Sequence, residues 1–437
     1  MRLSVVLAAW LSFIGAQAYT LGPVQKPVAA RTHRLKLVDT PLKPLLSENA
    51  SVIFPIDDDW DALQIRGTSP RIHPNFVVVV EPATEEDVQK TVQYASELGL
   101  PFLAVSGSHG WTKTLNNIPY GIQINMRKLN SITLDSSGTT ATVGGGTLQW
   151  ELNRALYARN KQTGALRGAG HNFGIVTSVE LKVYDIPSNW TLSTFIYSSD
   201  KLEAVLDLVN KIDSDATRSP NLPLILYSIS YQGPKPEADP YFAQFEAIGP
   251  LTVKPATNVN NVDIYKLTQN SLDSVACTRN RSSMGSGTSL PLWNTTAARA
   301  AFDIFTNLTA DPRFSQSVFL LENYGMQGVQ AVDPGSTSLS LEERQYPAVA
   351  NPTIWWNGSA ALGQADAEAY GEQIRQALFS GLPEGAKKHT YVNYAVGTEH
   401  FNQMYGYDTT RVQSLKALKK VYDPNDRFGY YNPVPLV

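Results

Sequence analysis

Ser106-Gly107-Ser108-His109-Gly110 places an imidazole inside a glycine and serine turn directly after the apolar run from Pro101 to Val105. Glycines in such a turn let backbone N–H groups approach a ligand, because no Cβ stands in the way. The histidine adds a nitrogen that can hold a cofactor covalently, with a flavin as the leading candidate. A turn histidine with only a structural hydrogen bond is the plainer reading. Gly144-Gly145-Gly146 offers a second set of amides, although a tight hairpin or bulge uses glycines in the same way. Gly168-Ala169-Gly170-His171-Asn172-Phe173-Gly174 misses the dinucleotide fingerprint G-x-G-x-x-G by one position, and neither other turn fits it, which disfavours a nicotinamide Rossmann domain.

Tyr391-Val392-Asn393-Tyr394 is the other candidate for chemistry. On a strand, Tyr391 and Asn393 share one face and present a phenol beside an amide. Core or edge packing of an aromatic strand is the alternative. Glu399 and His400 read as a satisfied surface pair. Six scattered histidines show no H-x-x-x-H spacing and there is no Cys-x-x-Cys, so no metal is expected; no Gly-x-Ser-x-Gly elbow appears either.

The elements that must position these groups follow from hydropathy. Phe76 to Val80 is a β-branched run, and Thr84 with Asp87 has the form of a capping box opening a helix over Val88 to Leu98, stopped by Gly99. Pro101–Val105, Gly121–Asn125 and Thr140–Val143 read as further strands, making an α+β unit that begins at Arg71 after an irregular, proline-dotted lead-in. Val412 to Val421 reads as an amphipathic helix with Leu415 and Leu418 inward and Lys416, Lys419 and Lys420 outward. Trp293, Trp355, Trp356, Tyr227, Tyr231, Tyr241 and Tyr324 in the middle of the chain are mostly core, with stacking on a ring-shaped substrate as their functional use.

The chain has 437 residues, 43% hydrophobic and 17% charged, a size suited to two or three domains. A net charge of -3 without a basic run argues against nucleic acid or a membrane surface as partner and leaves a small-molecule substrate. Arg2, the apolar stretch Leu3–Ile14 and Ala16-Gln17-Ala18 have the form of an export signal, residues 1–18, and no other stretch is apolar enough to span a bilayer. Sequons at Asn49, Asn189, Asn280, Asn294, Asn307 and Asn357 point to a secreted glycoprotein. The single cysteine, Cys277, excludes an intramolecular disulfide.

The order of these motifs, from Pro82-Ala83-Thr84 through the Ser-Gly-x-His turn at His109, Val143–Gly146 and Arg167–Thr177 to Tyr391–Tyr394 and Tyr422-Asp423-Pro424, resembles the berberine-bridge-enzyme-like FAD-linked oxidoreductases of the vanillyl-alcohol-oxidase superfamily. The match spans residues 71–185 and 390–433. The resemblance implies a two-domain PCMH-type FAD-binding fold, with an FAD-binding domain over 71–187, an antiparallel-sheet substrate domain over 188–385, and a C-terminal segment, 386–437, that returns to complete the cofactor site. FAD would be bonded to His109 and held by Ser106, Gly107, Ser108, Gly110, Gly144, Gly145, Gly168, Gly170, Gly174, Ile175, Val176 and Asn393. Tyr391 would act as general base while hydride passes to the flavin, and Asn393 would orient flavin or substrate. Between Gly164 and Ala165 the family carries several tens of residues, including a second flavin-bonding cysteine and a Gly-Gly-Gly-His-Gly loop; here the flanks are fused, and Cys277 does not match that cysteine, so no second link is expected. The resemblance is strongest to secreted fungal proteins of secondary metabolism, acting as monomers with oxygen as a possible acceptor. A secreted carbohydrate oxidase is the runner-up, and the fused junction supports a reading of another class, a secreted scaffold that binds no flavin.

Overall fold

Four consecutive valines bury a strand on both faces, which suits the interior of a parallel sheet. The computed structural model, which describes residues 41–64, 69–163, 170–214, 228–268, 281–356 and 362–436, shows this arrangement. β1 (Ser51–Ile53), β2 (Phe76–Glu81), β3 (Phe102–Val105) and β4 (Gly121–Asn125) form a sheet of order β1-β2-β4-β3, with β4 parallel to β2 and β3. α1 (Glu85–Glu97) connects β2 to β3 and opens on the expected capping box, with Thr84 accepting from the Asp87 amide. Regular structure starts earlier than Arg71, because β1 pairs antiparallel with β2 as an edge strand. The leader and the first part of the lead-in lie outside the described residues.

Asp87 is what fastens that lead-in. Its carboxylate accepts from the Ser47 amide and hydroxyl, each at 2.7 Å, and from the Ala83 and Thr84 amides. Burial alone would raise its pKa, but these hydrogen bonds outweigh burial and hold it down to about 2. A carboxyl depressed in the folded state adds stability above its unfolded pKa, and that stability is lost as pH falls from about 4 to about 2. Asp87→Asn is expected to remove roughly 2 kcal/mol at neutral pH and much less at pH ~2. Urea denaturation of both proteins across that range checks it; a difference independent of pH would refute the assignment.

β5 (Ile132–Leu134), β6 (Thr140–Gly144), β7 (Lys161–Thr163) and β8 (Ser178–Asp185) make an antiparallel sheet of order β5-β6-β8-β7. α2 (Gln149–Tyr157) covers it, with Leu152 and Leu156 packed on Ala141, Val143 and Val183. The Gly164–Ala165 junction lies outside the described residues.

The middle of the chain forms two antiparallel sheets among the described residues: β9 (Trp190–Ile196), β10 (Ser228–Gln232) and β11 (Thr252–Val259), then β12 (Ser282–Met284), β13 (Thr288–Leu290), β14 (Val318–Asn323) and β15 (Ala348–Trp356). Helices α3 (Leu202–Ser214), α4 (Lys235–Glu246), α5 (Thr295–Ala310) and α6 (Gln364–Ser380) back them around a core that includes Trp190, Phe195, Phe245, Trp293, Phe319 and Trp356. Trp293, Trp355, Trp356 and Tyr231 are buried, as core residues should be, while Tyr227 lies outside the described residues.

α7 (Thr409–Tyr422) corrects the helical reading at two positions. Leu415 faces inward, but Leu418 is 45% exposed and Lys419 is fully buried. Lys419 turns inward because Asp423 Oδ2 lies 2.5 Å from its Nζ, with Asp426 and the Asn172 carbonyl completing its partners.

Candidate functional site

β3 delivers the chain to the Ser106–Gly110 turn, where Ser108 takes a left-handed φ of 57°. Among the described residues, the amides of Gly107, Ser108 and Gly110 donate to no backbone carbonyl, so this turn keeps donors for a ligand. His109 is exposed at its crest. The ring of Tyr431 covers Gly110 so closely that a Cβ there would come within 2.4 Å of it, and His171 packs on Tyr431 with ring centroids 4.3 Å apart. The return of the C-terminal segment to this turn is therefore a close contact rather than a loose approach.

The triple glycine behaves differently. The amides of Gly144, Gly145 and Gly146 donate to the carbonyls of Ser131, Thr177 and Leu129 at 2.8, 2.7 and 2.9 Å. A Cβ at Gly145 would fall 1.9 Å from the Val176 carbonyl oxygen, and one at Gly146 would fall 1.8 Å from that of Met126. The expectation that Gly144 and Gly145 present amides to a cofactor is corrected: these glycines are where backbones cross, and their donors are spent. Ser106 Oγ donates to the Gly146 carbonyl at 3.1 Å and joins the two turns.

Gly170, with φ of 75°, begins the described part of the third run, and Gly168 lies outside it. Gly174 lines a narrow cleft with His171, Phe428, Tyr430, Tyr431 and the β3 residues Phe102, Leu103 and Ala104. Ile175 packs on the parallel-sheet core, while Val176 is 57% exposed. Asn172, which the sequence reading left without a role, is fully buried and ties this run to the tail: its Nδ2 donates to the Tyr405 hydroxyl and its Oδ1 accepts from the Val434 amide.

Tyr391 to Tyr394 is not a strand. Val392–Tyr394 is a single 3-10 turn, closed by the Tyr394 amide on the Tyr391 carbonyl at 2.8 Å. Just before it, among the described residues, His389 makes an isolated antiparallel bridge with Ser289. The turn still joins the two candidate side chains, with Asn393 Nδ2 donating to the Tyr391 hydroxyl at 2.5 Å; that bond is exposed, Asn393 being exposed and Tyr391 half-buried.

Tyr394, whose ring meets that of Tyr391 edge-on at 5.5 Å, directs its hydroxyl to a different partner. Its ring stacks on Trp111 at 6.4 Å and 22°, and its hydroxyl donates to Glu322 Oε1 at 3.0 Å. Glu322 is fully buried and also accepts from the Tyr324 hydroxyl at 2.7 Å. Sheet register explains this: Glu322 lies opposite Val349, and the next pair on that face is Leu320 with Asn351, whereas Phe319 and Leu321 enter the core. The sequence reading missed Glu322 and Trp111. A carboxylate in the apolar run Val318–Leu321 was the available signal, since a strand buries such a group only with partners.

Tyr405, next to Asn172, has its phenol pushed upward by burial and donates to the Asn432 carbonyl, which is a structural role. Asn49, Asn294 and Asn307 are exposed, and Asn189 is partly exposed with its amide on Asn258; Asn280 and Asn357 lie outside the described residues. Among the described residues, no helix is long and apolar enough to cross a membrane and no cluster of three metal-ligating side chains occurs.

Comparisons with known proteins bear on the fold and the cofactor-binding domain. Residues 76–179 match the family described as FAD binding domain, so the chain carries such a domain. FAD-linked oxidoreductase chyH of Penicillium rubens is 27% identical over 516 residues, covering 99% of this chain and 100% of that protein. FAD-linked oxidoreductase anuG of Penicillium roqueforti is 26% identical, covering 91% and 92%. Among solved structures, the xylooligosaccharide oxidase of Myceliophthora thermophila superposes with a TM-score of 0.75 at 15% identity, covering 92% of this chain and 99% of that one. Physcomitrella patens BBE-like 1 gives 0.73 at 16%, covering 91% and 100%. The chain has the two-domain PCMH-type fold of these proteins.

The residues present fit FAD on one side of its site. Among the described residues the amides of Gly107, Ser108 and Gly110 have no backbone acceptor, the Tyr431 ring of the tail covers Gly110, and Asn432 Oδ1 and Thr147 Oγ1 are buried without a hydrogen-bond partner. Polar atoms left unpaired in the turn and in the segments around it suit a polar ring system. The triple glycine itself does not fit, for the reason given above.

Proposed function

We infer that this chain, an FAD-linked oxidoreductase by its FAD-binding domain and its homologues, oxidises a small hydroxyl-bearing organic substrate in fungal secondary metabolism. FAD, when bound, supplies the acceptor for a hydride and would be held by the Ser106–Gly110 turn, with His109 as its covalent anchor. The remaining work is proton management. Oxidising a C–OH to C=O removes one hydride from carbon and one proton from oxygen. Tyr394 takes that proton while its own passes to the buried Glu322 carboxylate, and the Trp111 ring stacked beside it excludes water from the exchange. The hydrogen bond between Tyr394 and Glu322 is the observation that carries this assignment. It moves the base from Tyr391, whose hydroxyl sits in an exposed hydrogen bond, to Tyr394; Tyr391 and Asn393 become the rim that meets the substrate first.

Secretion is proposed from the leader and the sequons, and a monomer using molecular oxygen as acceptor suits an extracellular oxidase. A carbohydrate in place of a ring-bearing metabolite is the second substrate class, since an aromatic wall also stacks on sugar rings. The spent amides of Gly144 to Gly146 are the observation on the side of a scaffold that holds no flavin. One absorbance spectrum of the purified protein, before and after acid precipitation, decides between flavoenzyme and scaffold. Flavin bands are expected to stay with the precipitate and to leave it in His109→Ala; a colourless, folded wild-type protein would sink the enzyme.

A further inference from the structure

Glu399 is the feature that neither the sequence nor the proposed chemistry uses. Far from a surface residue paired with His400, its side chain is fully buried. Oε2 accepts from three successive amides, those of Val396, Gly397 and Thr398, at 3.1, 2.9 and 3.1 Å, and Oε1 accepts from Arg375 at 2.6 Å. Arg375, 8% exposed on α6, also donates to Thr398 Oγ1. The loop so gathered is pinned on its far side to the strand of chain that follows His109, because the Lys113 amide donates to the Val396 carbonyl at 2.8 Å.

We propose that Glu399, held by Arg375, is a positioning residue that sets Tyr394 against Glu322 by fastening one loop to both the substrate domain and the His109 segment. Tyr394 is two residues before that loop, and its partners Trp111 and Glu322 belong to the two bodies that the loop joins. A carboxylate that gathers three amides fixes the backbone of the whole turn, and its ion pair with Arg375 fixes where that turn sits on α6. A glutamine at this position would turn a donor toward Arg375 and release the loop from the substrate domain while leaving acceptor capacity for the amides.

The proposal rests on the oxidoreductase reading, so its test includes a signal that needs no flavin. In protein labelled with ¹³Cζ-tyrosine, Tyr394→Phe identifies the Tyr394 resonance and Glu322→Gln gives its position without the carboxylate. Glu399→Gln is expected to move that resonance most of the way to the Glu322→Gln position. It should also slow substrate-driven flavin reduction, per bound flavin, about 10- to 100-fold with KM within about twofold. Arg375→Lys keeps the charge but not the paired geometry, and should give the same changes in smaller measure; it serves as the test if Glu399→Gln does not fold. A Tyr394 resonance unmoved in both variants overturns the proposal, whatever the rates. A resonance that moves in protein retaining no flavin supports the positioning role and refutes the oxidoreductase reading instead.

Discussion

Tyr394→Phe is expected to lower the rate of flavin reduction by substrate about 10²–10⁴-fold, the usual range for loss of a positioned proton acceptor, with little change in KM. The phenol that donates to Glu322 has a fixed route for a proton, because the carboxylate behind it is buried and already oriented by Tyr324. Glu322→Gln should fall in the same range, and the double variant should be no worse than either single one, since both remove the same relay. Tyr391→Phe is expected to cost about tenfold or less, as for a binding contact. Anaerobic stopped-flow of the four proteins, normalised to bound flavin, checks all of this. If Tyr391→Phe proves the most damaging, the base lies on the solvent side of the turn and the Glu322 relay is wrong.

Lys419→Met should destabilise the fold by about 3–5 kcal/mol, the scale for removing one partner of a buried ion pair. Asp423 would be left 3% exposed with its charge uncompensated, although it also accepts from the Arg427 and Phe428 amides that shape the tail. Adding Asp423→Asn should recover part of the loss, because the neutral amide oxygen can still accept from those amides. Urea midpoints of the single and double variants measure it. A loss below about 1 kcal/mol would put the pair in the class of exposed bridges and refute its burial. Because Lys419 also donates to the Asn172 carbonyl, the variant should loosen the run that lines the cleft under Tyr431.

Much of the scaffold was legible because its signals are local. Thr84 and Asp87 announced α1 by capping chemistry, Gly99 with φ of 67° ended it, and the β-branched run Phe76–Val80 read as the strand that became β2. The His109 turn was legible for the same reason, as glycine and serine after an apolar run. What failed depended on partners far away in the chain. Tyr391-Val392-Asn393-Tyr394 has strand-like composition, but among the described residues the extended pairing stops at a single bridge at His389, and the chain then turns on itself at Val392–Tyr394. The triple glycine looked like a phosphate turn because sequence shows which residues can approach a ligand and not which carbonyl arrives first. Lys419 and Glu399 were placed outside because charge normally favours solvent; Lys419 is inside with Asp423 and Asp426 just beyond its own helix and the distant Asn172 carbonyl as partners, and Glu399 is inside with Arg375 of α6.

The tail that covers Gly110 also constrains when the protein becomes competent. Thr114 meets Tyr430 across 316 positions of sequence, Arg71 meets Glu368 across 297, and Asn172 meets Val434 across 262. Contacts of such high order close the largest loops in the chain, and their entropy is recovered last. The Ser106–Gly110 turn can therefore form early, from neighbours in sequence, while the wall opposite it is among the final acquisitions of folding. Cofactor capture then belongs to the same late event that commits the chain to its native topology.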